Sequence, residues 1–134
     1  MVTLGIDWGE KRIGVAYSRG NIAGPLKVIE VATMPVVDEV KDICNRLGVD
    51  KIVLGVPWGE KGKDTEQSRK VCEFGEQLEN SIEAEVVYWN ETLSSQQALQ
   101  KMIAAKKGRK ARRELDAASA AIILQDYLDS RNKG

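Results

Sequence analysis

Between residues 2 and 18 the apolar positions recur at every second residue. Val2, Leu4 and Ile6 alternate with Thr3, Gly5 and Asp7, and Ile13, Val15 and Tyr17 alternate with Gly14, Ala16 and Ser18. Period-two alternation belongs to strands half-buried on a sheet, so this stretch predicts two of them. The connection, Trp8-Gly9-Glu10-Lys11, is short and contains a glycine, as an antiparallel hairpin requires. One face of the hairpin is bulky, while Gly5, Gly14, Ala16 and Ser18 leave the other nearly bare. Small residues permit close approach. The expectation is that the last helix covers this face near Ala117, Ala120 and Ala121, bringing Asp116 toward Asp7.

Farther along, residues 26–32 read as a third strand introduced by the turn signal Gly24-Pro25. After Pro35 the period changes. Val36, Val37, Val40, Ile43, Cys44 and Leu47 lie at helical spacing, and Gly48 stops the helix. Ile52-Val53-Leu54-Gly55-Val56 is an unbroken apolar run ended by Pro57, the pattern of a strand buried on both faces. Residues 58–64 read as a loop, with Asp64 or Thr65 capping a polar helix that runs to about Asn80. Its inner stripe is Val71, Phe74, Leu78 and Ile82. A strand over Glu85 to Trp89, a helix over Ser94 to Ala105 and a last helix from about Glu114 to Ser130 complete one domain spanning 1–134. This order predicts an α/β fold, a ribonuclease H-like mixed sheet in which three antiparallel strands are continued by parallel strands, flanked by helices.

Composition narrows the chemistry. The chain has 20 basic and 20 acidic residues and no histidine. Imidazole general bases, Ser-His-Asp and Cys-His nucleophiles and His-ligated zinc are therefore excluded. Cys44 and Cys72 are far apart and form no Cys-x-x-Cys pair, which predicts two unpaired thiols in a reducing, cytoplasmic setting. No basic leader precedes a long apolar stretch, and no run reaches the roughly 18 apolar residues of a membrane span, so no membrane partner is expected.

Three acids remain at strand ends or helix starts: Asp7 closing the first strand, Glu91 just after the fifth, and Asp116 near the start of the last helix. Singly, each has a plainer role, in a turn for Asp7 and beside a helix N-terminus for the other two. Together they suggest a site. If strands one and five run parallel, Asp7 and Glu91 emerge at the carboxyl edge where open α/β sheets bind ligands. Asp116 stands at the margin of the apolar arc formed by Ala120, Ile123, Leu124 and Tyr127. A carboxylate turned inward needs a cation, and an all-oxygen donor set suits Mg²⁺ or Mn²⁺.

Charge is segregated along the chain. Lys101, Lys106, Lys107, Arg109, Lys110, Arg112 and Arg113 fall in a stretch without any acid, directly before Asp116. The expectation is a mobile phosphate-binding segment over Lys106 to Arg113, with Lys11 and Arg12 as further nucleic-acid contacts.

At this point the motifs resemble those of the YqgF/RuvX family of ribonuclease H-like nucleases, related to Holliday junction resolvases. The resemblance spans nearly the whole chain. It rests on Gly5-Ile6-Asp7-Trp8-Gly9 leading into Lys11-Arg12-Ile13-Gly14-Val15-Ala16, on Gly55-Val56-Pro57, on Glu91-Thr92-Leu93-Ser94-Ser95, and on Asp116-Ala117-Ala118-Ser119-Ala120-Ala121 continuing through Gln125 to Leu128. It implies that Asp7, Glu91 and Asp116 are the catalytic, metal-holding acids. The role it implies is trimming the 5′ end of the small-subunit ribosomal RNA precursor. Two departures stand out. Asn90-Glu91-Thr92 replaces the usual Asp-Glu-Arg, and Trp8 stands where Pro commonly follows the first Asp.

Other readings stay open on sequence alone. One is a junction resolvase acting on branched DNA; another is an RNA-binding or assembly module with weak catalysis, motivated by Asn90 and Thr92. Asp7-x-Gly9 followed by Gly14 also resembles the first phosphate loop of actin-like ATPases and sugar kinases, but one lobe cannot close over a nucleotide without a partner. Monomer and homodimer are not distinguished.

Overall fold

The computed structural model describes residues 1–58, 63–90 and 109–132. Five strands, β1 (Thr3–Asp7), β2 (Arg12–Ser18), β3 (Gly24–Glu30), β4 (Lys51–Val56) and β5 (Glu85–Asn90), form one sheet in the spatial order β3-β2-β1-β4-β5. β1, β2 and β3 are antiparallel neighbours, while β4 joins β1 and β5 joins β4 in parallel. The mixed sheet expected from the sequence is therefore the one observed.

Alternation of side chains then assigns the two faces. Leu4, Ile6, Ile13, Val15, Ile52 and Leu54 point to one side, where they pack with residues of α1 (Val36–Leu47) and α2 (Glu66–Ser81). Ala16 and Val53 point to the other and pack under α3 (Arg109–Asn132) with Ala120, Ile123, Leu124 and Tyr127. The lack of bulk lets α3 approach closely. A Cβ on Gly5 would stand 2.7 Å from the Leu124 Cβ and 3.0 Å from the Ala120 carbonyl oxygen.

Local signals explain the helix ends. Gly48 takes φ +66° and closes α1 in the left-handed region that glycine enters without penalty. Thr65 caps α2: its hydroxyl accepts from the Ser68 amide, and the Ser68 hydroxyl reciprocates at the Thr65 amide. Ile82 lies just past the end of that helix and is only partly buried.

The boundaries of β3 and α3 differ from expectation. β3 begins at Gly24, so Pro25 lies inside a strand. It is accommodated because β3 is an edge strand and the register slips beside it, Val15 pairing with Lys27 and Ala16 with Pro25. The strand also stops early, at Glu30, where the Thr33 amide donates back to the Glu30 carbonyl and closes a turn. The larger correction concerns α3, which starts at Arg109 and not near Glu114. Arg, Lys and Ala are strong helix formers, and the basic residues over 109–113 extend the helix toward its N-terminus. Lys101, Lys106, Lys107, the expected helix over Ser94 to Ala105 and most of the loop over residues 58–64 lie outside the described residues.

Both thiols are free, as expected, with Cys44 buried and Cys72 half-buried on the α1/α2 side. Among the described residues no helix is long and apolar enough to cross a membrane.

Candidate active site

Asp7 is the last residue of β1, the central strand, and shares its face with Gly5 beneath α3. Its cross-strand partners on that face are Gly14 in β2 and Gly55 in β4. Neither flanking position carries a side chain, so neither neighbouring strand fills the space beside Asp7. Farther along the same row, Trp89 of β5 pairs with Gly55.

The helix above supplies the second acid. Gly14 faces the backbone of Asp116 so closely that a Cβ there would stand 3.2 Å from the Ala117 nitrogen and 2.5 Å from the Asp116 carbonyl carbon. Asp116 therefore sits over the strand residue paired with Asp7, as the small-residue face predicts. Its carboxylate is partly exposed, and Oδ2 accepts a hydrogen bond from Arg12 Nε at 2.7 Å. That contact raises the guanidinium pKa further above its ordinary value, mainly through the hydrogen bond and then through charge attraction. Arg12, expected among the phosphate-binding cations, is thus engaged with a carboxylate of its own chain. Lys11, its neighbour, is exposed at the hairpin turn.

Glu91 lies outside the described residues, but the strand preceding it ends at Asn90 on the same sheet edge as Asp7, because β1, β4 and β5 are parallel. Arg109, Lys110, Arg112 and Arg113 belong to the opening turns of α3, ahead of Asp116.

Several residues that hold this geometry escape sequence reasoning. Gln125 clamps α3 to the connection between β2 and β3, its Oε1 accepting from the Ala23 amide at 2.8 Å and its Nε2 donating to the Asn21 carbonyl at 2.9 Å. Trp89 donates from Nε1 to Asp126 at 3.2 Å and meets the Tyr127 ring edge-on at 5.2 Å. The run of Gln125, Asp126 and Tyr127 beside the apolar stripe is the only sequence hint of such a clamp.

The donor chemistry suits a hard divalent cation: Asp7 and Asp116 offer only oxygen, and both thiols lie across the sheet. Among the described residues no group of three potential metal ligands occurs. A cavity of about 440 Å³ lined by Trp8, Met34, Val37, Phe74, Lys70 and Gln77 opens on the α1/α2 side. Neither Asp7 nor Asp116 lines it.

The whole-chain pattern is shared by known proteins. A family model described as "RuvX: Holliday junction resolvase" matches residues 1–130. The chain belongs to the RuvX family. RuvX relatives named "Putative pre-16S rRNA nuclease" include one from Clostridium tetani, 40% identical over 134 residues and covering 97% of each chain. Another, from Caldanaerobacter subterraneus subsp. tengcongensis, is 35% identical over 136 residues with 98% of each chain covered. Among solved structures, the Thermus thermophilus RuvC in complex with Holliday junction substrate aligns with a TM-score of 0.61 at 16% identity, covering 98% of this chain and 96% of that one. That likeness shows the ribonuclease H-like fold. Membership in this nuclease family makes the RuvX chain a hydrolase of phosphodiester bonds.

Proposed function

We propose that this RuvX chain is a divalent-metal-dependent nuclease that trims the 5′ end of precursor 16S ribosomal RNA in the cytoplasm. One observation supports the reading: the Asp116 backbone rests on Gly14, the cross-strand partner of Asp7, although Asp7 and Asp116 are 109 residues apart in sequence. Asp7, Glu91 and Asp116 would hold Mg²⁺ or Mn²⁺. When bound, such ions activate water and stabilise the departing oxygen of a phosphodiester.

The chain's own groups divide the remaining work. The three carboxylates would hold the cation. Lys11, Lys106, Lys107, Arg109, Lys110, Arg112 and Arg113 bind the backbone on either side of the scissile bond. The names carried by full-length relatives support an RNA precursor as substrate.

The test is a cleavage assay with Mg²⁺ and with Mn²⁺ on a 5′-extended 16S precursor fragment, single-stranded DNA and a four-way junction, with Asp7→Asn as control. Metal-dependent cutting of the precursor that disappears in Asp7→Asn is the expected result. Paired nicks confined to the junction would replace this reading with a resolvase, and binding without cutting would replace it with an assembly module.

A further inference from the structure

We infer that Arg12 is the positioning residue for Asp116, fixing its carboxylate so that one oxygen is already oriented toward the cation site before any cation arrives. The inference rests on the reading of Asp116 as a cation ligand.

The geometry is specific. Arg12 is the first residue of β2 and shares the α3-facing row with Gly14, two residues on. The missing side chain at Gly14 lets the Asp116 backbone settle onto the strand, and this brings the carboxylate within reach of Arg12. Among the described residues, contact to the Asp116 carboxylate is made from Arg12 Nε to Oδ2 at 2.7 Å. Both side chains are about one-third exposed, at 32% and 31%. An ion pair so accessible to water contributes little to stability, so its value lies in the orientation it imposes.

Two effects oppose each other when a cation binds. A guanidinium near the site repels the ion, whereas a hydrogen-bonded carboxylate is held in one rotamer and loses less freedom on ligation. Arg12 already has its charge offset by Asp116, and the carboxylates at this edge outnumber it. Orientation therefore outweighs repulsion. Groups that hydrogen-bond to metal-ligating carboxylates typically change metal affinity by about 10–100-fold when removed.

The experiment is Mn²⁺ titration of the full chain by calorimetry and electron paramagnetic resonance, without nucleic acid. Wild type is compared with Arg12→Met, Arg12→Gln, Arg12→Lys, Asp116→Asn and the double variant Arg12→Met/Asp116→Asn, each checked for folding by circular dichroism. Arg12→Met is expected to bind Mn²⁺ about 10–100-fold more weakly. Arg12→Lys should recover most of that affinity, since a single donated hydrogen bond does not require the guanidinium fork. Arg12→Gln covers the case in which Arg12→Met fails to fold, and it should likewise bind less tightly than wild type. In the Asp116→Asn background the Arg12 change should add nothing, because the two residues act as one unit. Unchanged or tighter Mn²⁺ binding by folded Arg12 variants overturns the inference and leaves the nuclease reading intact. Absent binding in wild type, or full binding by Asp116→Asn, overturns the ligand assignment and the role of Arg12 together.

Discussion

The carbonyl oxygen of Asp116 occupies the space that a Cβ on Gly14 would need. Both partners in that approach are backbone, so neither can rotate away. Gly14→Ala should therefore lift the start of α3 and cost about 1–3 kcal/mol in urea unfolding, with a larger proportional fall in cleavage. Gly20→Ala meets nothing within 4 Å and serves as the comparison. It should be neutral, or stabilising by up to about 1 kcal/mol.

Ala120 is fully buried and its carbonyl packs over Gly5. Ala120→Leu adds volume to an interface without room for it, at a cost of about 1–3 kcal/mol. Cleavage should fall more than nucleic-acid binding does, because the acids depend on helix placement while the basic residues keep their charge. Parallel measurement of cutting rate and fluorescence anisotropy reads the difference; equal reductions would contradict it.

Arg109, Lys110, Arg112 and Arg113 begin α3. Replacing all four with Gln should weaken binding to single-stranded RNA. The slope of log affinity against log salt should flatten by up to about 0.7 for each phosphate that is no longer neutralised. Mn²⁺ affinity should hardly change. An unaltered salt slope would mean that these residues do not bind phosphate.

The exposed Glu10–Lys70 pair links the hairpin turn to α2. Hydrogen bonding and charge attraction from Lys70 lower the Glu10 pKa from 4.5, and the same pairing raises that of Lys70 from 10.5. A lowered acid stabilises the fold above its unfolded pKa and forfeits that contribution as pH falls through its folded one; a raised base does so below its unfolded pKa and forfeits it as pH rises through its folded one. The difference in melting temperature between wild type and Glu10→Gln should thus be flat between 4.5 and 10.5 and shrink outside that window. It should also diminish with salt.

Burial pushes the Cys44 thiol up to about 11, and Cys72, less buried, is raised as well. Iodoacetamide at a mildly alkaline pH of about 8 should modify Cys72 before Cys44, with Cys44 reacting promptly only after unfolding. Peptide mass spectrometry checks the order.

Much of this architecture is legible because each strand carries its own instructions. The alternation through β1 and β2 identifies the bulky face and the bare one, and the bare face identifies the helix that covers it. Gly48 and Thr65 mark helix boundaries by local stereochemistry. Pro25 misleads, since a turn signal and an edge-strand proline look alike until the neighbouring strand is known. The basic run before Asp116 misleads differently: a row of like charges argues against regular structure, while the residues from Arg109 to Arg113 individually favour the helix that includes them. The pairing of Arg12 with Asp116 and the clamp made by Gln125 have no local spacing to betray them. They exist only once the chain has folded back across more than 100 positions.

The placement of α3 over β1, β2 and β3 joins the last helix described to the first strands of the chain. During synthesis Asp7 emerges first, and Asp116 follows after a further 109 residues, an interval of roughly 5–22 s at ordinary elongation rates. Throughout that time the bare face at Gly5 and Gly14 has no cover and Arg12 has no Asp116 to hold. A nascent or prematurely terminated polypeptide therefore lacks both the seating of Asp116 on Gly14 and the Arg12–Asp116 pair, which form only as α3 docks.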